Sequence, residues 1–484
     1  MFNTSPIARL EDLQNEYDYI IVGGGTAGCV LANRLSSNDQ VTVLVVEAGT
    51  SDNGWLSRNP YFSFHHASSG HQSHVTGSVP QRHADNRTFN LVRGRTLGGT
   101  SKINAALYAR GIPAEYNEWS RNGCIGWSYG EIEKYFVRAE TALDYAERDA
   151  PHYHGSKGEW TNRSSASPAW IQTPHARKEV ILTAGPLASP LILLLSGIGP
   201  AAHLKERGAP MLRDLPGVGS HLQDHFGMPV RCSIPLKDSM VQLMLSTWAL
   251  LLYVVQYLIY GTGPFFAPEV AVLIQSRLFN STFTFVTAKP EDEDADLPEN
   301  IPDIELIPVA WADPRWCMEE NTGGFTINAS TLHVESVGTV RLASLDPQDD
   351  PVVDLNYLAA TSDRELARKL VKVTKRFIDC VVEDGYPLQL SEPYPDFEDD
   401  EAMDAFVRQK CTTRFHYTSS CRMAPEEQEG VVDERLRVYG VSRLRVADAS
   451  VIPRCPAAHP AAVVVMIAEK CAEMVKEDNG ETLF

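Results

Sequence analysis

The first 50 residues alternate between apolar runs and a helical spacing of apolar residues. The segment "YDYIIVGGG" is an apolar run that enters a glycine turn, which is typical of a strand buried in a parallel sheet. In the next segment, "TAGCVLANRLSS", Ala27, Val30, Leu31 and Leu35 fall on one side of a helix. The run "QVTVLVVEAG" then predicts a second buried strand. The chain is therefore expected to begin with a β-α-β unit.

Related patterns occur in the middle and at the end of the chain. The segment "RKEVILTAGPLASPLILLLSGIGP" again predicts strand, turn and helix, and "AAVVVMIAEKCAEMVKE" predicts a closing helix. No internal repeat or low-complexity tract is present. Because these pieces are dispersed, the sequence predicts one discontinuous nucleotide-binding domain with a second domain threaded between its segments.

One apolar stretch, "VQLMLSTWALLLYVVQYLIYG" from Val241 to Gly261, is nearly long enough to span a bilayer. Polar residues such as Gln242 and Gln256 interrupt it, and no Lys or Arg flanks it closely. This pattern favours a buried or partly membrane-facing helix, and no stable membrane span is expected.

Composition and charge narrow the class of protein. The chain has 484 residues, 43% hydrophobic residues and a formal net charge of −19. That charge repels phosphate backbones, so nucleic acid is not an expected partner. Nine cysteines without Cys/His metal spacing indicate reduced thiols and no metal site. The N-terminus lacks an apolar signal-peptide core, so a cytoplasmic location is expected.

The glycine turn carries the first chemical signal. Gly23, Gly25 and Gly28 form a G-x-G-x-x-G pattern between strand and helix, with Thr26 and Ala27 inside it. Such glycines permit a tight turn, close approach of a pyrophosphate, and close packing of helix on strand. The residues Glu47 and Ala48 end the next strand, where a carboxylate can accept hydrogen bonds from a ribose diol. This acid favours NAD or FAD over NADP.

A second set of contacts bears on the choice between NAD and FAD. The motif "GRTLGGT" supplies Gly98, Gly99 and Thr100, and Asn104 and Ala105 are expected in a helix that follows. A flavin is usually held along its whole length, so a second glycine-rich turn favours FAD.

Several separate motifs of this chain resemble motifs of the glucose–methanol–choline (GMC) oxidoreductases. "DYIIVGGGTAGCVLANRL" is similar to their FAD fingerprint, "GRTLGGTSKINAALYARG" to their first signature and "GPLASPLILLLSGIGP" to their second. "GVVDERLRVYGVSRLRVADASVIP" and "VMIAEKCAEMV" resemble their C-terminal block. The resemblance implies FAD as cofactor and oxidation of an alcohol by hydride transfer to the flavin, with oxygen or another electron acceptor as second partner.

The resemblance also implies positions for the site residues. "RFHYTSSCRM" matches the family stretch that carries a histidine beside the flavin N5, at His416, and "CPAAHPAAVVVMIAEK" places His459 at the second family position. Asp448 and Ala449 match positions near the flavin's ribityl and pyrophosphate groups, although Asp448 could equally cap a helix or turn. Arg95 replaces the histidine that links FAD covalently in some members, which favours non-covalent FAD.

The implied chemistry agrees with the properties of imidazole. An alcohol releases a hydride easily only when its hydroxyl is losing a proton, and neutral imidazole is the natural acceptor near pH 7. A second imidazole can hold the same oxygen and orient it. We expect His416 to be the base and His459 its partner, although the sequence alone does not decide between them.

The resemblance gives a fold class and a domain division. The expected fold is α/β, or α+β overall: an FAD-binding doubly wound βαβ domain with a threaded antiparallel-sheet substrate domain. The FAD-binding domain is predicted to comprise 15–50, 88–112, 176–232 and 432–484. The lid and substrate-binding domain is predicted to comprise 51–87, 113–175 and 233–431.

The chain departs from the family pattern between Trp160 and Arg177, where members generally carry a much longer segment. A shortened chain could hold flavin weakly and be an inactive homologue. A second alternative is a lyase or cyclase that keeps FAD as a scaffold, since one fold hosts several chemistries. The leading hypothesis is an alcohol oxidase or dehydrogenase, with a bulky hydrophobic substrate and a role in fungal secondary metabolism.

Overall fold

The computed structural model describes residues 13–51, 70, 72–140, 174–260, 262–263, 270–280, 284, 288–311 and 321–481. The strands of these residues are Glu16–Val22 (β1), Val43–Val46 (β2), Ser73–Gly77 (β3), Asn90–Gly94 (β4), His175–Leu182 (β5), Ile198–Gly199 (β6), Arg213–Asp214 (β7), Phe226–Pro235 (β8), Val272–Ile274 (β9), Ile304–Val309 (β10), Thr322–Thr331 (β11), Thr339–Arg341 (β12), Val352–Asp354 (β13), Gln389–Leu390 (β14), Thr412–Thr413 (β15) and Leu444–Val446 (β16). The α-helices are Thr26–Leu35 (α1), Pro113–Arg121 (α2), Tyr129–Ala139 (α3), Ala188–Leu195 (α4), Ala201–Arg207 (α5), Gln242–Leu245 (α6), Thr247–Tyr260 (α7), Thr361–Glu383 (α8), Asp400–Lys410 (α9) and Pro460–Asp478 (α10).

A parallel sheet joins the beginning, the middle and the end of the chain. Its strand order is β16-β5-β1-β2, and each pair is parallel. The strand β1 is apolar and mostly buried, as expected for a strand covered on both faces. The predicted β-α-β unit and the discontinuous parallel sheet are both confirmed.

The helix α10 anchors this unit. It is buried along most of its length, and the two glutamates it buries form ion pairs. Arg34 of α1 binds Glu469 with 2.7 Å between Nη2 and Oε1, and Lys134 of α3 binds Glu473 at 2.9 Å. These ion pairs, together with apolar packing, hold α1 and α3 against α10. Trp119 and Phe136, from the stretch 113–140 that was predicted to belong to the substrate-binding domain, pack in the same hydrophobic core as β1 and α1.

The second sheet is antiparallel, with the order β14-β8-β11-β10-β9 and β15 also paired to β8. Its presence agrees with the predicted fold class. The strand β8 crosses the predicted boundary between residues 232 and 233 and belongs to this sheet over its whole length. The change from one sheet to the other therefore lies before Phe226, and the division of the chain into two domains otherwise stays a prediction.

The apolar stretch beginning at Val241 is not one continuous helix. The helix α6 ends at Leu245, and α7 follows over Thr247–Tyr260 with no buried residue. The expectation of a buried helix is therefore wrong for α7, whose Trp248 is 77% exposed. No helix in the described ranges has the length and apolar character needed to cross a membrane. The cytoplasmic location stays a prediction.

Candidate active site

A cavity of about 2440 Å³ lies where the two sheets meet. Its lining includes Val22 and Val46, the last residues of β1 and β2, and Thr183, which follows β5. The opposite wall includes residues of β8, β10 and β11. Ligands of open parallel sheets bind at the carboxyl ends of the strands, and pockets for one small molecule usually measure about 300–1,000 Å³. This cavity therefore has room for a dinucleotide and a second ligand.

The structure brings nearly all of the predicted site residues to this one cavity. The residues that line it are Gly23, Gly25, Thr26, Ala27, Glu47, Ala48, Gly99, Thr100, Asn104, Ala105, His416, Asp448, Ala449 and His459. Gly28 lies behind the cavity wall, where a Cβ would come within 1.9 Å of the carbonyl oxygen of Gly23. Gly28 therefore serves close packing of α1 on the turn, as its position in the motif indicates. The functional roles of these residues remain predictions.

Two glycine-rich turns form one end of the cavity. The backbone N–H of Gly98 donates to the carbonyl oxygen of Gly24 at 2.7 Å, which joins the turns. Gly99 has a φ of +54°, and a Cβ there would lie 2.8 Å from Cα of Gly25. The turns can therefore approach this closely because position 99 is glycine.

This end fits the diphosphate of a dinucleotide. The helix α1 begins after Gly25 without a side-chain cap, so its first N–H groups receive no side-chain acceptor there. A Cβ on Gly25 would meet no atom closer than 3.8 Å, so that position opens into the cavity. Uncapped N–H groups and the positive end of a helix dipole are a favourable anion site. The residues present would thus hold the pyrophosphate of FAD.

The carboxylate of Glu47 supports the glycine turn from below. Its Oε2 accepts from the N–H of Gly24 at 2.8 Å, and its Oε1 accepts from the N–H of Gly49 at 2.7 Å. Burial raises the pKa of Glu47, against these backbone hydrogen bonds. Each carboxylate oxygen can accept a further hydrogen bond, so the predicted contact with a ribose diol stays available.

The segment after "GRTLGGT" departs from the prediction. Gly99–Lys102 forms one 3₁₀ turn, and no helix follows before α2 among the described residues. Asn104 therefore lies in a loop, where its Oδ1 accepts from the N–H of Ala106 at 3.0 Å. The prediction of a helix here was wrong, because this Asn side chain bonds the backbone locally and Ala106 has a φ of +57°.

Asp448 takes the capping role that the sequence left open. Its Oδ1 accepts from the N–H of Ser450 at 2.8 Å, at the start of the 3₁₀ turn Ala449–Val451. Its Oδ2 accepts from the N–H of Gly185 at 2.9 Å and from the hydroxyl of Ser189. The carboxylate thus ties the β5–α4 turn to the C-terminal segment at the cavity wall.

Two histidine rings face each other at the other end of the cavity. The ring centroids of His416 and His459 are 4.8 Å apart, with an interplanar angle of 52°. His416 lies in the loop after β15, and His459 immediately precedes Pro460 at the start of α10. The preceding Phe415 has a φ of +63°, a left-handed conformation that directs the loop. Two residues that are 43 positions apart in sequence therefore share one site.

Sequence analysis missed a third histidine and a buried aspartate beside His416. Nδ1 of His225 lies 2.9 Å from Nδ1 of His416, and Nε2 of His225 lies 3.3 Å from Sγ of Cys455. Asp224 accepts from the N–H of His416 at 2.7 Å and from the hydroxyl of Thr413 at 2.6 Å. The pair Asp224–His225 directly precedes β8, and no motif in the sequence distinguishes it.

A second buried carboxylate, that of Glu305, contacts His459. Nε2 of His459 lies 2.8 Å from Oε1 of Glu305, which is 1% exposed in the middle of the antiparallel sheet. Here the sequence held a signal, since Glu305 interrupts the apolar run "IELIPV". A buried carboxylate needs a donor, and His459 supplies it.

Burial and neighbouring positive charge act together on this end of the site. Burial lowers the pKa of His225 to about 3, with His459 adding to the effect and the carbonyl of Leu332 opposing it. Burial also lowers the pKa of His416, and His225, His459 and Arg414 lower it further. Both rings are therefore neutral near pH 7.

The pKa of the buried Asp224 shifts in the opposite direction to the pKa values of the two histidines. Burial raises the pKa of Asp224 to about 6, against the hydrogen bonds from Thr413, Tyr357 and the N–H of His416. The loop that carries His416 is thus held by a carboxylate that is ionised above this pH.

Comparison with known proteins identifies the family. The GMC oxidoreductase models match this chain at residues 17–166 and 161–227 for the N-terminal part and at 334–468 for the C-terminal part. The chain therefore belongs to the GMC oxidoreductase family and is an FAD-dependent oxidoreductase, as the motifs predicted.

Related proteins match over nearly the whole chain. It is 31% identical to the dehydrogenase str4 of Strobilurus tenacellus and 30% identical to an oxygen-dependent choline dehydrogenase of Burkholderia lata, in each case over 95% of this chain and 94% of the relative. The first alignment covers 582 positions, which exceeds the chain's 484 residues by 98. Segments of the relative therefore have no counterpart here. The N-terminal family model matches in two parts that meet at 161–166, inside the region predicted to be short.

Solved structures share the fold. A formate oxidase aligns with a TM-score of 0.78 and 21% identity, over 99% of both chains. A fungal aryl-alcohol oxidase aligns with a TM-score of 0.77 and 22% identity, over 97% of this chain and all of that one. The residues 141–173, which include most of the short region, lie outside the described residues. The strand β5 that follows is paired on both sides, so it is not an exposed edge.

Proposed function

We propose that this protein oxidises an alcohol to a carbonyl compound, with His416 as the base. The observation that carries the proposal is the pair of rings of His416 and His459, 4.8 Å apart, in the same cavity as the glycine turns. Bound FAD supplies the hydride acceptor, N5 of its ring. The protein supplies the groups that hold the alcohol and move its proton.

His416 is suited to accept the hydroxyl proton. Its lowered pKa keeps the ring neutral at pH 7, so a lone pair is available without prior deprotonation. Nδ1 contacts His225, which leaves Nε2 for a ligand in the cavity. A base in this position contributes about 10²–10⁴-fold to the rate.

His459 is suited to hold the same oxygen. Its Nε2–H donates to Glu305, and a proton on Nδ1 would let that nitrogen donate to the alcohol oxygen whose own proton goes to His416. The ring also sits at the N-terminus of α10, where the helix dipole favours a developing negative charge. Two imidazoles on one oxygen would orient the carbinol carbon within the cavity.

The wall around the histidines favours an apolar alcohol. Its lining includes Ile307, Val309, Trp311, Phe325 and Phe415. Apolar side chains of this kind favour an aliphatic or aromatic substrate. This proposal replaces the sequence argument from α7, which does not line the cavity. A role in fungal secondary metabolism is proposed on similarity to a fungal dehydrogenase only.

Anaerobic mixing of the FAD-loaded protein with a panel of alcohols tests this proposal. The panel comprises benzyl alcohol, a long-chain primary alcohol, choline, glucose and methanol. We expect the flavin absorbance to bleach with an apolar member, and the aldehyde to appear in equal amount. A lyase would consume its substrate without bleaching. A folded protein that does not bind FAD would instead support the inactive, shortened homologue.

A further inference from the structure

His416 contacts a second imidazole that belongs to neither predicted set of site residues. Nδ1 of His225 and Nδ1 of His416 are 2.9 Å apart, and the ring centroids are 5.1 Å apart at an angle of 81°. His225 is fully buried. Two neutral rings in contact through nitrogen must share one proton between those atoms, so one ring donates and the other accepts.

The thiol of Cys455 decides which ring donates. Its Sγ lies 3.3 Å from Nε2 of His225 and 3.6 Å from the carbonyl oxygen of His416. Burial raises the pKa of this thiol, so it keeps its proton. The Thr418 hydroxyl also contacts this thiol and can donate to the sulfur. A carbonyl oxygen can only accept, so the S–H group can donate to the backbone of His416 or to the ring of His225.

Two arrangements of protons are possible in this cluster. In the first, Cys455 donates to the carbonyl of His416, Nε2–H of His225 donates to the sulfur, and Nδ1–H of His416 donates to Nδ1 of His225. All three contacts are then hydrogen bonds. In the second, Cys455 donates to Nε2 of His225, and His225 donates to His416. The carbonyl of His416 then loses its donor, and no other donor reaches it among the described residues.

The geometry points to the first arrangement: His225 is a positioning residue that holds the proton of His416 on Nδ1 and leaves Nε2 as a lone pair toward the cavity. In the second arrangement Nε2 of His416 would carry a proton and could not accept one from an alcohol. His225 therefore determines whether His416 is a base or a donor. This inference rests on the proposed function of His416 as base, and it concerns the proton position in the resting protein.

Titratable and charged groups from several described elements surround His416. They are Asp224 and His225 before β8, Arg414 in its own loop, Cys455, and His459 at α10, with Glu305 on β10 bonded to the far side of His459. Among these residues, no side chain hydrogen-bonds to Nε2 of His416. That nitrogen is thus available to report the tautomer directly.

Nitrogen NMR of the full-length, FAD-loaded protein labelled with ¹⁵N-histidine tests the inference without any substrate. His416→Gln identifies the signals of His416 by their loss. We expect the wild-type spectrum at pH 7.5 to show a protonated Nδ1 and an unprotonated Nε2 on His416. A proton on Nε2 would overturn the inference, whether or not the protein oxidises alcohols.

Two matched variants extend the test. In His225→Asn the amide oxygen can take the place of Nδ1, so the tautomer of His416 should be kept. In His225→Gln the amide reaches toward Cys455 and leaves Nδ1 of His416 without its acceptor. We expect the ratio of the two tautomers to fall about fivefold in His225→Gln, the effect of one neutral hydrogen bond. An unchanged ratio in folded His225→Gln protein would show that His225 does not set the tautomer.

If neither variant folds, the wild-type spectrum alone still decides. Failure of the proposed function would be seen separately, as alcohols that never bleach the flavin of a protein whose His416 carries its proton on Nδ1.

Discussion

The two ends of the cavity are built in different ways. The glycine end is made of backbone: two turns are joined by a hydrogen bond from Gly98 to Gly24, and the start of α1 after Gly25 is left uncapped. The histidine end is made of side chains from distant segments, with each ring held by a second group. The comparison indicates that cofactor retention and proton transfer depend on separate sets of residues. Substitutions at one end should leave the function of the other intact.

Apart from loss of the base itself, the largest expected effect is on stability in acid, and it belongs to the histidine end. His225 has a pKa of about 3 in the folded protein and about 6.5 when unfolded, so the unfolded state binds more protons as the pH falls below 6.5. The contribution of the neutral His225 ring to the free energy of unfolding is fully present above pH 6.5 and is lost as the pH falls toward 3. Between pH 7.5 and pH 4, His225→Asn should lose about 3 kcal/mol less unfolding free energy than the wild type.

Urea denaturation of both proteins at several pH values measures this difference. Asp224 acts in the opposite sense, because its raised pKa adds stability as the pH falls through 6, but it is present in both proteins. Parallel pH curves for the two proteins would contradict a neutral, buried His225.

The next effect belongs to the glycine end. In Gly25→Ala the new Cβ meets no protein atom closer than 3.8 Å, so the fold should be kept, yet the methyl group projects where a phosphate would approach. We expect FAD to bind about 100-fold more weakly, the loss of roughly one to two charge-assisted hydrogen bonds. Titration of the apoprotein with FAD measures it. Gly130→Ala is the matched control, because a Cβ there meets nothing within 4 Å and Gly130 lies on α3, outside the cavity lining. If both variants bound FAD with equal affinity, Gly25 would not lie at the phosphate site.

The smallest expected effect concerns the carboxylate behind His459. Glu305→Gln keeps a hydrogen-bonding group of the same size but removes its charge, and charged hydrogen bonds are about twice as strong as neutral ones. The rate of flavin reduction should fall about tenfold at unchanged FAD content. His221 and Glu429 form an exposed pair of the same kind at 2.7 Å, so Glu429→Gln is the control. If Glu305→Gln lost FAD, the glycine end and the histidine end would not function independently.

Sequence analysis predicted the glycine end well, because that end is a local motif. A turn between a strand and a helix is encoded within a few residues, and Gly23, Gly25 and Glu47 could be found from their spacing. The error there was Asn104, assigned to a helix. Its side chain bonds its own backbone, which propensity alone does not reveal.

The histidine end was only half predicted, for a tertiary reason. His416 and His459 were found by resemblance, but the residues that orient them come from other segments. His225 and Glu305 meet the proposed catalytic pair only after β8 and β10 have joined the antiparallel sheet. Contacts between residues more than 150 positions apart leave no periodic signal in one sequence.

The central claim is that His416 accepts the proton of the alcohol. Its most direct test is the anaerobic rate of flavin reduction in His416→Gln, measured with the alcohol that reduces the wild type fastest and at equal FAD occupancy. His175→Gln, an exposed histidine at the start of β5, is the control. We expect a loss of about 10³-fold in His416→Gln and none in the control. Reduction of the His416→Gln flavin at the wild-type rate would contradict it.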